Sequence, residues 1–206
     1  MNKEWLSVFA LFLLFTAVVA NAQSHKPVTA EEHVVLTTEY GDLVLALYPE
    51  IAPQHVAQII KLVKLGAYDG THFFRVIPDF IVQLSDANNR QTPLTPQQSK
   101  AVVSIPAEFS KTLKHEKGVL SMARWDDPNS ATSSFSVLLH DAPHLDGQYT
   151  IFGHLHSGGS VINKILALPR VNEQPITRVT VKRAYVVSDL AAYFAHKNGY
   201  RLQDVR

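Results

Sequence analysis

Short apolar runs broken by turn residues dominate this chain, and few stretches keep a helical rhythm. His33 to Tyr40 and Asp42 to Tyr48 are β-rich runs around Gly41, the pattern of a hairpin. Leu43, Leu45 and Leu47 alternate with Val44, Ala46 and Tyr48, so both faces of that strand are expected to be at least partly covered. Pro53 opens the clearest helix. Val56, Ile59, Ile60 and Val63 recur at helical spacing against Gln54, Gln58, Lys61 and Lys64, and Gly66 offers a stop. Phe73 to Gln83 reads as two strands bent at Pro78. Strand signals return at Gly118–Ala123, Phe135–Leu139 and Tyr149–Leu155, with Asp146-Gly147 marking a turn. Val161 to Leu168 reads as a second helix stopped by Pro169, and Ile176 to Val187 as a closing strand.

Two segments stand apart. Asp86 to Ser104 is rich in Asn, Gln, Pro and Thr, lacks an apolar period and reads as a long loop, uncommon unless functional. Leu190 to Ala195 looks helical, with Ser188 as its N-cap and Gly199 as its stop. Eight strands and two capping helices predict one mainly β domain. Closing the sheet into an antiparallel barrel would remove exposed edges.

The first residues are expected to lie outside this domain. Met1-Asn2-Lys3 is a short basic start, Trp5 to Ala20 is almost wholly apolar, and Ala20-Asn21-Ala22 supplies small residues for a signal peptidase. The expected organisation is a signal peptide over 1–22, a leader over 23–32, the barrel over 33–187 and a helical extension over 188–206. Export to the periplasm or medium follows, with no membrane attachment after cleavage. Among 206 residues there is no cysteine, which excludes disulfides, thiolate metal sites and a cysteine nucleophile. A net charge of +1 without basic runs argues against nucleic-acid binding.

The candidate chemistry centres on Arg75 and Gln83, a guanidinium and an amide among apolar neighbours of one hairpin. The run Phe73-Phe74-Arg75-Val76-Ile77-Pro78-Asp79-Phe80-Ile81-Val82-Gln83 resembles the signature of cyclophilins, the peptidyl-prolyl cis-trans isomerases. Further blocks follow in the family's order: Gly118 to Ala123, Ser130 to Phe135, Leu145-Asp146-Gly147 and Ile151-Phe152-Gly153. Ile105 to Phe109 and Met122-Ala123-Arg124 look like its bacterial branch. The resemblance implies an eight-stranded barrel with two helices, proline-containing polypeptides as substrates, a monomer and no cofactor. It implies Arg75 as the catalytic guanidinium, with Gln83 holding the substrate carbonyl and orienting Arg75. Phe80, Ile81 and Leu145 would wall the proline pocket, Tyr149 would offer a hydroxyl or ring edge, and Ala123 and Arg124 would line the groove for preceding residues.

The pattern also departs from the family. In the strand around Phe135, alternation sends Phe135 and Val137 into the core, and Ser134 and Ser136 to the groove. The family carries glutamine and phenylalanine at those two positions, so the pocket floor at Ser136 loses an aromatic ring. His144 stands where a tryptophan tied to cyclosporin binding is common, Leu84-Ser85 replace a glycine pair, and Phe74 replaces a histidine. Retention of Arg75, Phe80 and Gln83 favours an isomerase; the two serines favour a weak or inactive peptide-binding or chaperone descendant. His140, His144, His154 and His156 lack acidic or thiolate companions and read as solvated surface residues rather than metal ligands.

Overall fold

The computed structural model describes residues 32–198. The expected signal segment, the leader before Glu32, the Gly199 stop and the end of the C-terminal extension lie outside the described residues. Strand β1 (His33–Thr38) pairs with β2 (Gly41–Leu47) as the expected hairpin. Helix α1 (Pro53–Lys64) lays Val56, Ile59, Leu62 and Val63 on the core. Ala52 gives its first turn no side-chain cap. Glu108 supplies one instead, its two carboxylate oxygens accepting from the backbone N–H of Gln54 and His55, each at 3.0 Å. An anion thereby sits at the positive end of the helix, on donors with no intrahelical partner.

Strands β3 (His72–Ile77) and β4 (Ile81–Leu84) follow, then helix α2 (Pro96–Ala101), β5 (Val119–Met122), β6 (Phe135–Leu138) and β7 (Ile151–Ser157). The chain continues through α3 (Gly159–Leu166), a ribbon of β8 (Arg170–Val171) with β9 (Gln174–Pro175), β10 (Val179–Thr180), β11 (Arg183–Val187) and α4 (Leu190–Lys197). The large sheet is antiparallel and runs β10-β3-β4-β6-β5-β7-β2-β1-β11. Tyr68, Phe73, Phe135 and Phe152 lie fully buried at its centre, with Phe135 edge-on to Phe152 at 5.4 Å. Strongly apolar inward faces make this burial the main stabilising term.

Five expectations change. Instead of eight strands closing on themselves, nine form a half-barrel whose edge strands β10 and β11 follow each other in the chain. The predicted closing strand bends at Val181-Lys182, where one N–H turns to Thr71 O and the next to Thr37 O. The segment from Asp86 to Ser104 is not a bare loop. It holds α2, whose Thr95 and Gln98 form a reciprocal capping box, and a 3₁₀ turn at Ala87–Asn89. Tyr149 precedes β7 rather than starting it. Finally, Asp189 rather than Ser188 caps α4, accepting from Ala192 N at 2.8 Å, because its carboxylate reaches the first free donors. Helix α4 packs Leu190, Tyr193 and Phe194 over Val35, Val44 and Val187. Asp42 latches it, accepting from Tyr193 Oη at 2.6 Å and pairing with Lys197.

Gly153 shows how closely strands are pressed. A Cβ there would stand 2.2 Å from Ala46 O on the neighbouring strand. Gly153→Ala is therefore expected to cost about 3 kcal/mol or more by forcing β2 and β7 apart. The check is a urea titration, and an unshifted midpoint would contradict the account.

Candidate active site

Arg75 owes its position to one extra residue. Phe73 pairs with Leu84, yet Arg75 pairs with Gln83, so β3 takes two steps where β4 takes one. The bulge at Phe74 breaks the two-residue alternation. Phe73 and Val76 both reach the core as a result, while Arg75 stays half-buried on the other face. Next door, β6 pairs Val137 with Val82, Ser136 with Gln83 and Phe135 with Leu84. Phe135 and Val137 enter the core, and Ser136 joins Gln83 on the outer side.

A hollow of about 180 Å³ opens there, lined by Arg75, Phe80, Ile81, Gln83, Ala123, Arg124, Ser136, Leu145 and Tyr149. Its apolar side belongs to a small cluster of Ile81, Leu138 and Ala142 with Ile77, Phe80 and Leu145 against it. Ser121, Met122 and Leu138 also line it, and the sequence reading had not singled them out. Ser134 does not line it. Its hydroxyl donates to Leu84 O at 2.7 Å and accepts from Gln83 Nε2 at 3.2 Å. With its one proton spent on a carbonyl, Ser134 must receive the Gln83 amide. That leaves the Gln83 oxygen and one amide proton for a peptide. A larger hollow of about 630 Å³ lies between the Pro78-Asp79 turn and α3, but contains neither Arg75 nor Gln83.

Arg75 donates from Nε to Glu173 Oε2 at 2.8 Å. Its two terminal nitrogens have no hydrogen-bond partner among the described residues. Nothing in the local sequence pointed to Glu173, which is far away along the chain. The side chains of this pair are 40% and 48% exposed, so it adds about 1 kcal/mol or less to stability.

The opposite wall is pinned from behind. Asp146 accepts from His115 N and His115 Nδ1, and His115 Nε2 meets Ser121 Oγ at 3.1 Å. Burial lowers the His115 pKa, and Asp146 opposes this only in part. The network therefore assigns a neutral ring with its proton on Nδ1, accepting from Ser121. Backbone and side-chain hydrogen bonds from His115, aided by Lys114, bring the Asp146 carboxyl down to about 2. Arg124 stacks over the Tyr149 ring at 4.5 Å and donates to the carbonyls of Gln148, Trp125 and Asp126. His144 lies across Phe80 at 5.6 Å.

The other expected surface histidines divide. His140 is exposed beside Asp79 at 3.2 Å. His154 is half-buried, its Nδ1 meeting Tyr48 Oη at 2.8 Å, because the exposed face of β7 is partly covered there. Among the described residues no group of three or more His, Cys, Asp or Glu could hold a metal ion.

An arginine whose terminal N–H groups have no partner among the described residues, a glutamine beside it and an apolar hollow thus meet on one face of the β half-barrel. Comparison with known proteins shows the family. The family described as "Cyclophilin type peptidyl-prolyl cis-trans isomerase/CLD" matches residues 33–186, and the chain belongs to this family. It is 42% identical to peptidyl-prolyl cis-trans isomerase CYP23 of Arabidopsis thaliana, over 86% of this chain and 81% of that protein. It is 39% identical to a probable peptidyl-prolyl cis-trans isomerase of Brucella suis, over 79% of this chain and 84% of that one. Among solved structures, a Cryptosporidium parvum cyclophilin matches with a TM-score of 0.68 at 27% identity, covering 77% of this chain and 99% of that one. The same parasite protein crystallised in the presence of the dipeptide Ala-Pro matches with a TM-score of 0.66 at 28% identity, covering 76% and 99%.

Two buried histidines make stability pH-dependent. Burial holds both His55 and His115 below the ordinary 6.5, outweighing the raising effects of Glu108 and Asp146. The unfolded chain therefore binds more protons below pH 6.5, and stability rises with pH there. Their contribution is complete above 6.5 and is lost as pH falls through the folded values. Asp146 adds a further loss below its ordinary 3.8, extending toward 2. The urea midpoint is expected to fall between about pH 7.5 and 5 by this linkage; a flat profile would refute the neutral assignment.

Proposed function

We propose that this isomerase acts on X-Pro bonds of exported polypeptides, with Arg75 as the group that favours the twisted amide. The X-Pro bond rotates over a barrier of about 18–20 kcal/mol because its C–N bond is partly double. Twisting removes the conjugation and makes the proline nitrogen a better acceptor. A guanidinium aimed at that nitrogen stabilises the twisted form over either planar one, so it lowers the barrier without a cofactor, nucleophile or base. Gln83 holds the adjoining peptide group, while Phe80, Ile81 and Leu145 receive the proline ring. Ala123 and Arg124 flank the preceding residues.

The observation that carries this reading is the pairing of Arg75 with Gln83 on adjacent strands, opening into the same hollow as Phe80 and Leu145. The relative crystallised in the presence of Ala-Pro supports a proline-bearing ligand. Removal of residues 1–22 would release a monomer into the periplasm or the medium, where newly exported chains still need their prolines set; the apolar run and small-residue site of that segment support this. We also read β10 and β11 as one bent strand joining both edges of the sheet, supported by the bonds of Val181 to Thr71 and of Lys182 to Thr37.

In a protease-coupled assay on an Ala-Pro peptide, Arg75→Ala is expected to lower kcat/KM by about tenfold or more, the loss of one transition-state donor. Absence of acceleration by the wild type, with Arg75→Ala indistinguishable from it, would leave the peptide-binding reading that Ser136 favours. Ser136 lines the hollow with a small polar side chain. Replacing it by phenylalanine is expected to raise kcat/KM by about three- to tenfold by restoring an aromatic floor. A Ser136→Phe protein that folds but is no faster would show that the floor does not limit the rate.

A further inference from the structure

The polar partner of Arg75 comes from outside its own hairpin. Arg170 pairs with Pro175 and Val171 with Gln174, which leaves Asn172 and Glu173 as the two turn residues of the β8–β9 ribbon. Their φ angles are 48° and 67°. Two positive values in a two-residue turn suit the twist of a hairpin, and asparagine tolerates the first. Glycine is the unstrained choice for the second; glutamate there is held against its own sterics. That strained residue reaches β3 twice, its carbonyl accepting from Val76 N at 2.7 Å and its carboxylate from Arg75 Nε at 2.8 Å. Strain is kept where the surroundings over-determine it, often at a functional site.

Gln83 does not do this work. It faces Arg75 in register but gives an amide proton to Ser134, and no hydrogen bond joins it to Arg75 among the described residues. We infer that Glu173 is a positioning residue for catalysis, holding the guanidinium of Arg75 by Nε so that both terminal nitrogens face the substrate. The guanidinium is planar and rigid, so fixing the direction of one N–H fixes the whole fork. Because the ion pair is half-exposed, it contributes little to the fold, and the two roles can be separated.

The inference rests on the isomerase reading above, and the test separates the two. Glu173→Gly removes the clamp while relaxing the turn, and Glu173→Gln keeps an acceptor of the same reach. The glycine variant is expected to melt at or above the wild-type temperature, with kcat lower by about fivefold and KM within about twofold, and the glutamine variant to recover most of that loss. In ¹H–¹⁵N spectra the Nε–H signal of Arg75, identified by its loss in Arg75→Ala, is expected downfield and slow to exchange in the wild type. It should move upfield and exchange faster in Glu173→Gly. A glycine variant with wild-type kcat, or an unmoved Nε–H signal, overturns the clamp. A wild type without activity overturns the isomerase reading instead, and the spectra still decide whether Glu173 holds Arg75.

Discussion

The inserted residue in β3 is the constraint on which the site depends. Strand side chains alternate faces, so a regular β3 would send Arg75 the same way as Phe73, into the core. An unpaired guanidinium there would cost several kcal/mol or would not fold. The bulge at Phe74 separates the two, letting Phe73 and Val76 fill the core while Arg75 faces outward. From there the register of β4 and β6 carries the same division, core side chains at Val82, Leu84, Phe135 and Val137 and groove side chains at Gln83 and Ser136. One change of step in a single strand thus places both halves of the site.

Carboxylates hold the surrounding loops in a chain that has no cysteine. Glu108 fastens its loop to the start of α1 and to His55. Asp86 gathers Thr132, Ser133 and Asn88, fastening the start of the long segment to the approach of β6. Asp146 fastens the turn bearing Leu145 to His115. Burial acts to raise the pKa of Asp86 and Glu108, but their several hydrogen bonds overcome it and hold both groups ionised. Each anchor joins distant parts of the chain through multiple donors, which fixes a loop's place more narrowly than one bond could.

The sequence exposes those parts of this design that repeat locally. The period-two pattern around Phe135 shows which side chains face the core, and helical spacing from Val56 to Val63 marks α1. The capping box at Thr95 and Gln98 was masked, because the polar composition around it suggests a loop. The bulge was not legible either. Phe73, Phe74 and Arg75 read as unbroken strand, and only pairing with β4 reveals the added residue. Glu173 was hidden for another reason, since its partner lies almost half a chain away and its turn carries none of the expected glycine. Ser134 is expected on the groove face with Ser136, but alternation cannot say that its hydroxyl is committed to Leu84 and Gln83 instead of the hollow.

The serine at the floor also bears on time. Where diffusion sets the rate of arrival, a weaker grip shows itself as faster departure, and each tenfold loss of affinity shortens dwell time by about tenfold. On the proposed reading, a proline ring at Ser136 would meet a small hydroxyl instead of an aromatic face, and a client would leave soon after its bond has turned. A long chain with many prolines would then be sampled briefly at each one, with no single site on it monopolising the enzyme.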